Sequence, residues 1–212
     1  MSDLTFAVVG AEPMPFALVP TLGVRLRIAA GGGQTIDSIV LRCQIRVEAD
    51  QRRYDDGEQE RLLEVFGEPH RWGDTVKSFV WAHVATSVGR FDGATDVDLP
   101  VECSYDLEVA AGKYFHALRG GEIPLLLLFS GTVFTRGPRG LQAAQIPWDR
   151  EARHRLPVAV WRQMMDAHFP DGGWLRLRRE TLDALMAYKA RHALPTWDDT
   201  VERLMGNVEL GS

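Results

Sequence analysis

Ser130 in "FSGT", His116 in "KYFHALRGG" and Asp106 in "SYDLE" are the residue types of a nucleophile, a general base and an orienting carboxylate. Such a set would attack an acyl carbon through the serine oxygen once the histidine takes its proton. The flanks argue against it. Ser130 does not sit in G-x-S-x-G, and it lies inside an apolar run that reads as a strand rather than on a strand-to-helix elbow. Asp106 and Glu108 could divide acid and base work, but two carboxylates at the start of a helical pattern already suit the helix dipole. The six histidines, His70, His83, His116, His154, His168 and His192, show neither H-x-x-x-H nor HExxH spacing, and Cys43 and Cys103 stand alone. The expectation is therefore no metal and no cofactor. "AAGGGQT" lacks the Lys-Ser/Thr ending and the following helix of a phosphate loop, and reads as a hairpin turn.

Binding offers better candidates. "FGEPHRWGDT" places Phe66, His70, Arg71 and Trp72 on a loop after a short helical pattern, and arginine and tryptophan are residue types that anchor interfaces. The competing reading tucks Trp72 onto the sheet and pairs Arg71. Four of the six tryptophans, Trp148, Trp161, Trp174 and Trp197, fall in the last third, as packing anchors or as a platform for a sugar or peptide.

The elements that must hold these residues begin with alternation. In "LGVRLRIA" Leu22, Val24, Leu26 and Ile28 share one face, and in "SIVLRCQIRVE" Ile39, Leu41, Cys43, Ile45 and Val47 do the same. A Gly-rich link between them predicts an antiparallel hairpin. Residues 50–75 read as an excursion. A strand follows, with Phe79, Trp81 and His83 on one face and Val76, Val80 and Val84 on the other. A helix is expected over about 105–119, capped by Ser104 and ended by Gly120, then a strand over 123–134 that is apolar on both faces. After Trp148 the pattern turns helical, with Pro157 opening one helix and Thr196 and Asp199 a capping box for the last. The fold class is α+β: an antiparallel sheet packed by helices, with a helical C-terminal third. The expected division is a sheet domain over 1–150, a helical extension packed on the sheet over 151–206, and a flexible tail over 207–212.

Composition sets limits. The 212 residues are 45% hydrophobic and 25% charged, enough for a sizeable core, and no apolar run approaches a membrane span. The start lacks a basic region before its apolar patch, and two thiols suit a reducing compartment, so a cytoplasmic, soluble protein is expected. The net charge of -5 is uneven, residues 150–193 carrying nine Lys/Arg against five Asp/Glu. An acidic total makes nucleic acid a poor partner.

"AHVATSVGRFDG" and "ECSYDLEVAAGKYFHALRGGEIPLLLLFSGTVF" together resemble the strand, Cys-led helix, Arg-Gly and proline-leucine strand order of the export chaperone SecB over residues 4–135. The chain departs from that family in residues 50–75, in "FSGT" where the family has prolines, and in the C-terminal third. "VFGEPHRW", "IPWDREARHRLPVAVW" and "GWLRLRRETLDALMAYK" are similar to an uncharacterised bacterial family often encoded near uptake nickel-iron hydrogenases. The resemblances imply a non-enzymatic, chaperone-like accessory protein that binds another polypeptide, a hydrogenase subunit or maturation factor among the candidates, and that is compatible with homo-oligomers. The alternatives are a small-molecule hydrolase using Ser130 and His116, or a tryptophan-based ligand-binding module.

Overall fold

Alternation over Leu4–Pro13 (β1) and Thr21–Ala30 (β2) gives two strands that pair antiparallel, with a register slip between Val8 and Gly10. The computed structural model describes residues 3–103, 110–138, 140–170, 172–173 and 175–209. Chain order continues through β3 (Thr35–Ile36), β4 (Ser38–Val47), helix α1 (Asp56–Phe66), the four-residue α2 (Trp72–Thr75), β5 (Phe79–Val88), β6 (Phe91–Asp92) and β7 (Ala94–Glu102). Then come α3 (Ala110–Ala117), β8 (Glu122–Gly137), β9 (Gly140–Gln145), β10 (Glu151–Pro157), α4 (Val158–His168), α5 (Arg179–Arg191) and α6 (Trp197–Glu209). The chain divides into two compact units, residues 1–173 and 174–212.

All pairings are antiparallel. One sheet runs β1-β2-β7; a larger one runs β10-β8-β4-β5 with β9 on the far half of β8; β3 and β6 make a small ribbon. The apolar faces read from the sequence are the buried ones: Leu22, Val24, Leu26 and Ile28 of β2 and Ile39, Leu41, Cys43, Ile45 and Val47 of β4 all lie in one core. Phe6 of β1 stacks on Phe129 of β8 with centroids 4.4 Å apart, so the sheets face each other across that core. Helix α4 adds Val158, Trp161, Met164 and Met165, and Trp161 stacks on Phe115 of α3 at 5.6 Å. The fold class is α+β with antiparallel sheets and helices, as the patterns imply.

Three local expectations are corrected. β2 and β4 do not form a hairpin, because Gly31–Gly33 make a 3-10 turn, with φ of 66° at Gly32 and 68° at Gly33, that carries the chain from one sheet to the other. Alternation specifies which face is buried but not which strand is the neighbour. In β5, Ile45 faces Ala82 while Arg46 faces Val80, so Trp81 is a bulge residue. The extra residue reverses the faces: Phe79 and Trp81 pack on the core, whereas His83 points to solvent with its Nε2 3.0 Å from Gln44 Nε2. Residues 151–157, expected to be helical, form β10, in which Ala152 and Leu156 are buried and Arg153 and Arg155 exposed. The described part of the 105–119 helix is Ala110–Ala117; Ser104, Asp106, Leu107 and Glu108 lie outside the described residues, as do Trp174 and residues 210–212.

The excursion after β4 is tied back by a buried ion pair. Arg52 and Glu58, whose side chains are 9% and 4% exposed, meet through two hydrogen bonds of 2.9 and 3.1 Å. Arg52 also donates to the carbonyls of Gly120 (2.5 Å) and Glu122 (3.1 Å), while Glu58 accepts from the Arg119 amide (2.7 Å). Asp55 caps α1 by accepting from the Glu58 amide at 2.8 Å. Removing one member leaves the other charged and dry. Glu58→Ala is therefore expected to cost about 3–5 kcal/mol, read as a lower urea midpoint at unchanged slope. An unchanged midpoint would mean that the pair carries no such weight.

Candidate functional site

Ser130 and His116 are not brought together. Ser130 is exposed on the outer face of β8, whereas His116 lies on α3 with its ring edge-on to Trp161 at 4.7 Å. They line different depressions, Ser130 one with Gln44 and His83, His116 another with Trp161 and Asp166. Among the described residues no group of three or more His, Cys, Asp or Glu could hold a metal ion. Both cysteines are free and buried, and burial pushes each thiol up to about 12.

The 66–75 segment is a 3-10 turn followed by α2 rather than an open loop. Phe66 is buried, and Trp72 meets Tyr54 and Phe66 edge-on at 5.4 and 5.8 Å while its Nε1 donates to Gly67 O at 2.8 Å. These two rings serve packing. His70 and Arg71 are exposed.

The outer faces of the two sheets differ in charge. On the smaller one, Arg25 bridges Glu12 (2.9 Å) and Asp98 (3.1 Å), and Arg27 grips Asp96 through two 2.8 Å bonds. The Arg27 hydrogen bond holds the Asp96 carboxyl below the usual carboxylate range. Both arginines of that ladder are thus matched by carboxylates in solvent. On the larger sheet, pairing sets rows across the strands: Arg153, Leu126, Arg46 and Val80; then Glu151, Leu128, Gln44 and His83; then Ser130, Arg42 and Ala85. Arg155 stands beside Pro124 in the flanking row. Arg153 is shared by Glu48 (3.5 Å) and Glu151 (3.3 Å), and Arg46 donates to Ser78 Oγ at 2.7 Å. Among the described residues Arg42, Arg46 and Arg155 have no carboxylate partner.

Two shallow depressions mark this face. One of about 590 Å³ is lined by Arg42, Gln44, His83, Leu128, Ser130 and Trp148, and Trp148 is 94% exposed. The other, about 570 Å³, is lined by residues that include Glu48, Gln51, Pro124, Arg153 and Arg155. Half-buried Leu126 and Leu128 with exposed Val40 and Val80 make an apolar floor edged by guanidinium groups. The outward positions of β4 were legible as polar; their assembly with Trp148 and β10 depends on pairing between distant segments.

This arrangement is a two-sheet scaffold whose larger sheet carries an apolar outer floor edged by guanidinium groups. The chain belongs to a family of unknown function, DUF6084, which matches residues 1–211. No curated protein matches it. Among solved structures, it is similar to a β-glucosidase from Kluyveromyces marxianus at 7% identity and a TM-score of 0.26, covering 73% of this chain and 15% of that one. It is also similar to β-glucosidase 3B from Thermotoga neapolitana at 13% identity and a TM-score of 0.28, covering 73% and 17%. The chain thus spans under a fifth of either enzyme's length. No helix among the described residues is long and apolar enough to cross a membrane.

Two chemical consequences can be measured. Cys43 and Cys103 should stay inert to a thiol reagent at neutral pH and react only on unfolding; rapid native labelling of either would contradict their burial. His154 is half-buried, its Nε2 has no partner, and burial lowers its pKa from the ordinary 6.5 despite the charge of Glu122. The folded chain favours the neutral ring, so below about pH 6.5 the unfolded chain binds more protons and stability falls. Above that pH the contribution is complete. Between pH 7 and 5, His154→Gln should lose less stability than the parent, and equal losses would rule out this linkage.

Proposed function

We propose that this protein is a non-catalytic, chaperone-like accessory protein that binds another polypeptide on the outer face of its larger sheet. The observation that supports the reading is the contrast between the two outer faces: one matches both of its arginines with carboxylates, while the other leaves Arg42, Arg46 and Arg155 without one around Leu126, Leu128 and Trp148. In a chain of net charge -5, such a basic rim around apolar side chains suits an acidic segment with apolar residues. Apolar burial at about 25 cal/mol per Å² supplies affinity, and the guanidinium groups select carboxylates. His70 and Arg71 offer a second, smaller contact.

The cell compartment in this reading is the cytoplasm. The sequence resemblance to a family encoded near nickel-iron hydrogenases supports a hydrogenase subunit or maturation factor as the partner.

The direct test uses a short fluorescent peptide alternating Leu and Glu, with a Leu–Lys peptide as control. The acidic peptide should bind, more weakly as salt rises, and Arg42→Glu with Arg46→Glu should weaken it roughly tenfold or more. Arg71→Ala should matter little. Equal binding of both peptides, or indifference to the arginine reversals, would sink the proposal.

A further inference from the structure

Among the described residues of the second unit no apolar side chain is fully buried, and Leu177, Leu185, Tyr188, Leu194 and Leu204 are half-buried. No side chain of α5 is buried, and among residues 197–206 of α6 Thr200 alone is. Leu182 and Met186 on α5, and Trp197, Val201 and Met205 on α6, stand between 37% and 56% exposed. The last three recur every four residues and make one stripe along the helix.

The hairpin's own bonds close its turn and caps without covering that stripe. Lys189 Nζ donates to the carbonyls of Leu194 (2.6 Å) and Pro195 (2.9 Å) and lies 5.8 Å from the Trp197 ring centroid. Asp199 accepts from the Thr196 amide and hydroxyl. Two helices of thirteen residues are marginal without tertiary cover. Something must pack on the stripe.

The charges indicate what. Residues 175–193 carry five Lys/Arg against two Asp/Glu, and residues 194–209 carry one against four, an equal and opposite imbalance. Among the described residues no ion pair joins α5 to α6; Arg179 pairs with Asp183 inside α5 at 3.3 Å. A hairpin that is basic along one helix and acidic along the other is complementary to itself after a two-fold rotation. That rotation lays α5 antiparallel on α6 of the other copy, placing the α5 end that carries Arg191 beside the helix start that carries Asp198 and Glu202. An unrelated partner of one dominant charge would match only one of the two helices.

We propose that residues 175–209 are a self-association element, docking on the same hairpin of a second copy as a four-helix bundle with the apolar stripes inside. The inference is independent of the sheet-face reading. Each assembled particle carries two outer sheet faces.

Size-exclusion chromatography with light scattering on the full chain tests it. The expected mass is twice the 23.7 kDa of the chain. Val201→Glu with Met205→Glu should give a monomer, with near-UV circular dichroism of the sheet unit retained. Asp198→Lys with Glu202→Lys should weaken the dimer roughly tenfold, and adding Arg191→Glu, on the α5 end that faces them, should restore part of that loss. A parent chain that is monomeric at every concentration overturns the proposal. So does a dimer that survives the stripe substitutions, or a charge swap without rescue. A monomer whose thermal stability falls with Val201→Glu and Met205→Glu would show instead that the chain covers its own hairpin.

Discussion

The buried pair of Arg52 and Glu58 is the constraint on which the sheet unit's helical side depends. A guanidinium and a carboxylate removed from water must each find several partners, and here those partners are the backbone atoms of the turn between α3 and β8. The pair thereby fixes where α1 begins and where β8 begins. Tyr54, two residues beyond Arg52, extends the clamp: its hydroxyl meets that of Tyr114 at 2.9 Å and also the Ala49 carbonyl at 2.7 Å. Burial raises both phenol pKa values, so this bridge is uncharged at any ordinary pH. The turn there calls for glycine at Gly121, whose φ is 72°.

With that corner fixed, β8 runs through the larger sheet in a single register. Its inward residues Leu125, Leu127 and Phe129 enter the core, and its outward residues Leu126 and Leu128 become the floor of the basic face. Gly131 allows the approach: its φ is 140°, and an added Cβ would stand 2.0 Å from Val40 O. The binding face is thus a by-product of packing, because the same pleat that buries one set of leucines presents the other. The smaller sheet presents its own polar set, Arg25, Arg27, Asp96 and Asp98, but opposite charges fall in cross-strand register there and cancel.

Faces were easier to read from the residues than neighbours were. Alternation in β2 and β4 told which side of each strand is buried, and the helical spacing of Val158, Trp161 and Met165 told the same of α4. Partner choice was not local. β2 lies between β1 and β7, and β4 between β5 and β8, so an apparent hairpin became a crossing between sheets. His83 was misplaced because a single bulge at Trp81 reverses the pleat, and a bulge leaves no mark in hydropathy. The Arg-rich strand β10 was hidden by its basic composition, which suits an exposed helix as well as an outward-facing strand edge. Trp148 was visible as a residue but not as part of a face, since its neighbours Arg42 and His83 come from distant segments.

The turn at Gly31–Gly33 has a kinetic meaning. Because it sends consecutive strands to opposite sheets, Thr21 waits for Glu102 and Ser38 for Phe134 before either sheet gains its central ladder. β1 with β2 and β8 with β9 can pair locally, but the β2–β7 and β4–β8 ladders must wait for long loops to close before they are rewarded. Such a chain folds slowly for its size, both sheets closing on the shared core together, and its apolar strands are exposed to one another for longer than those of a hairpin-built protein.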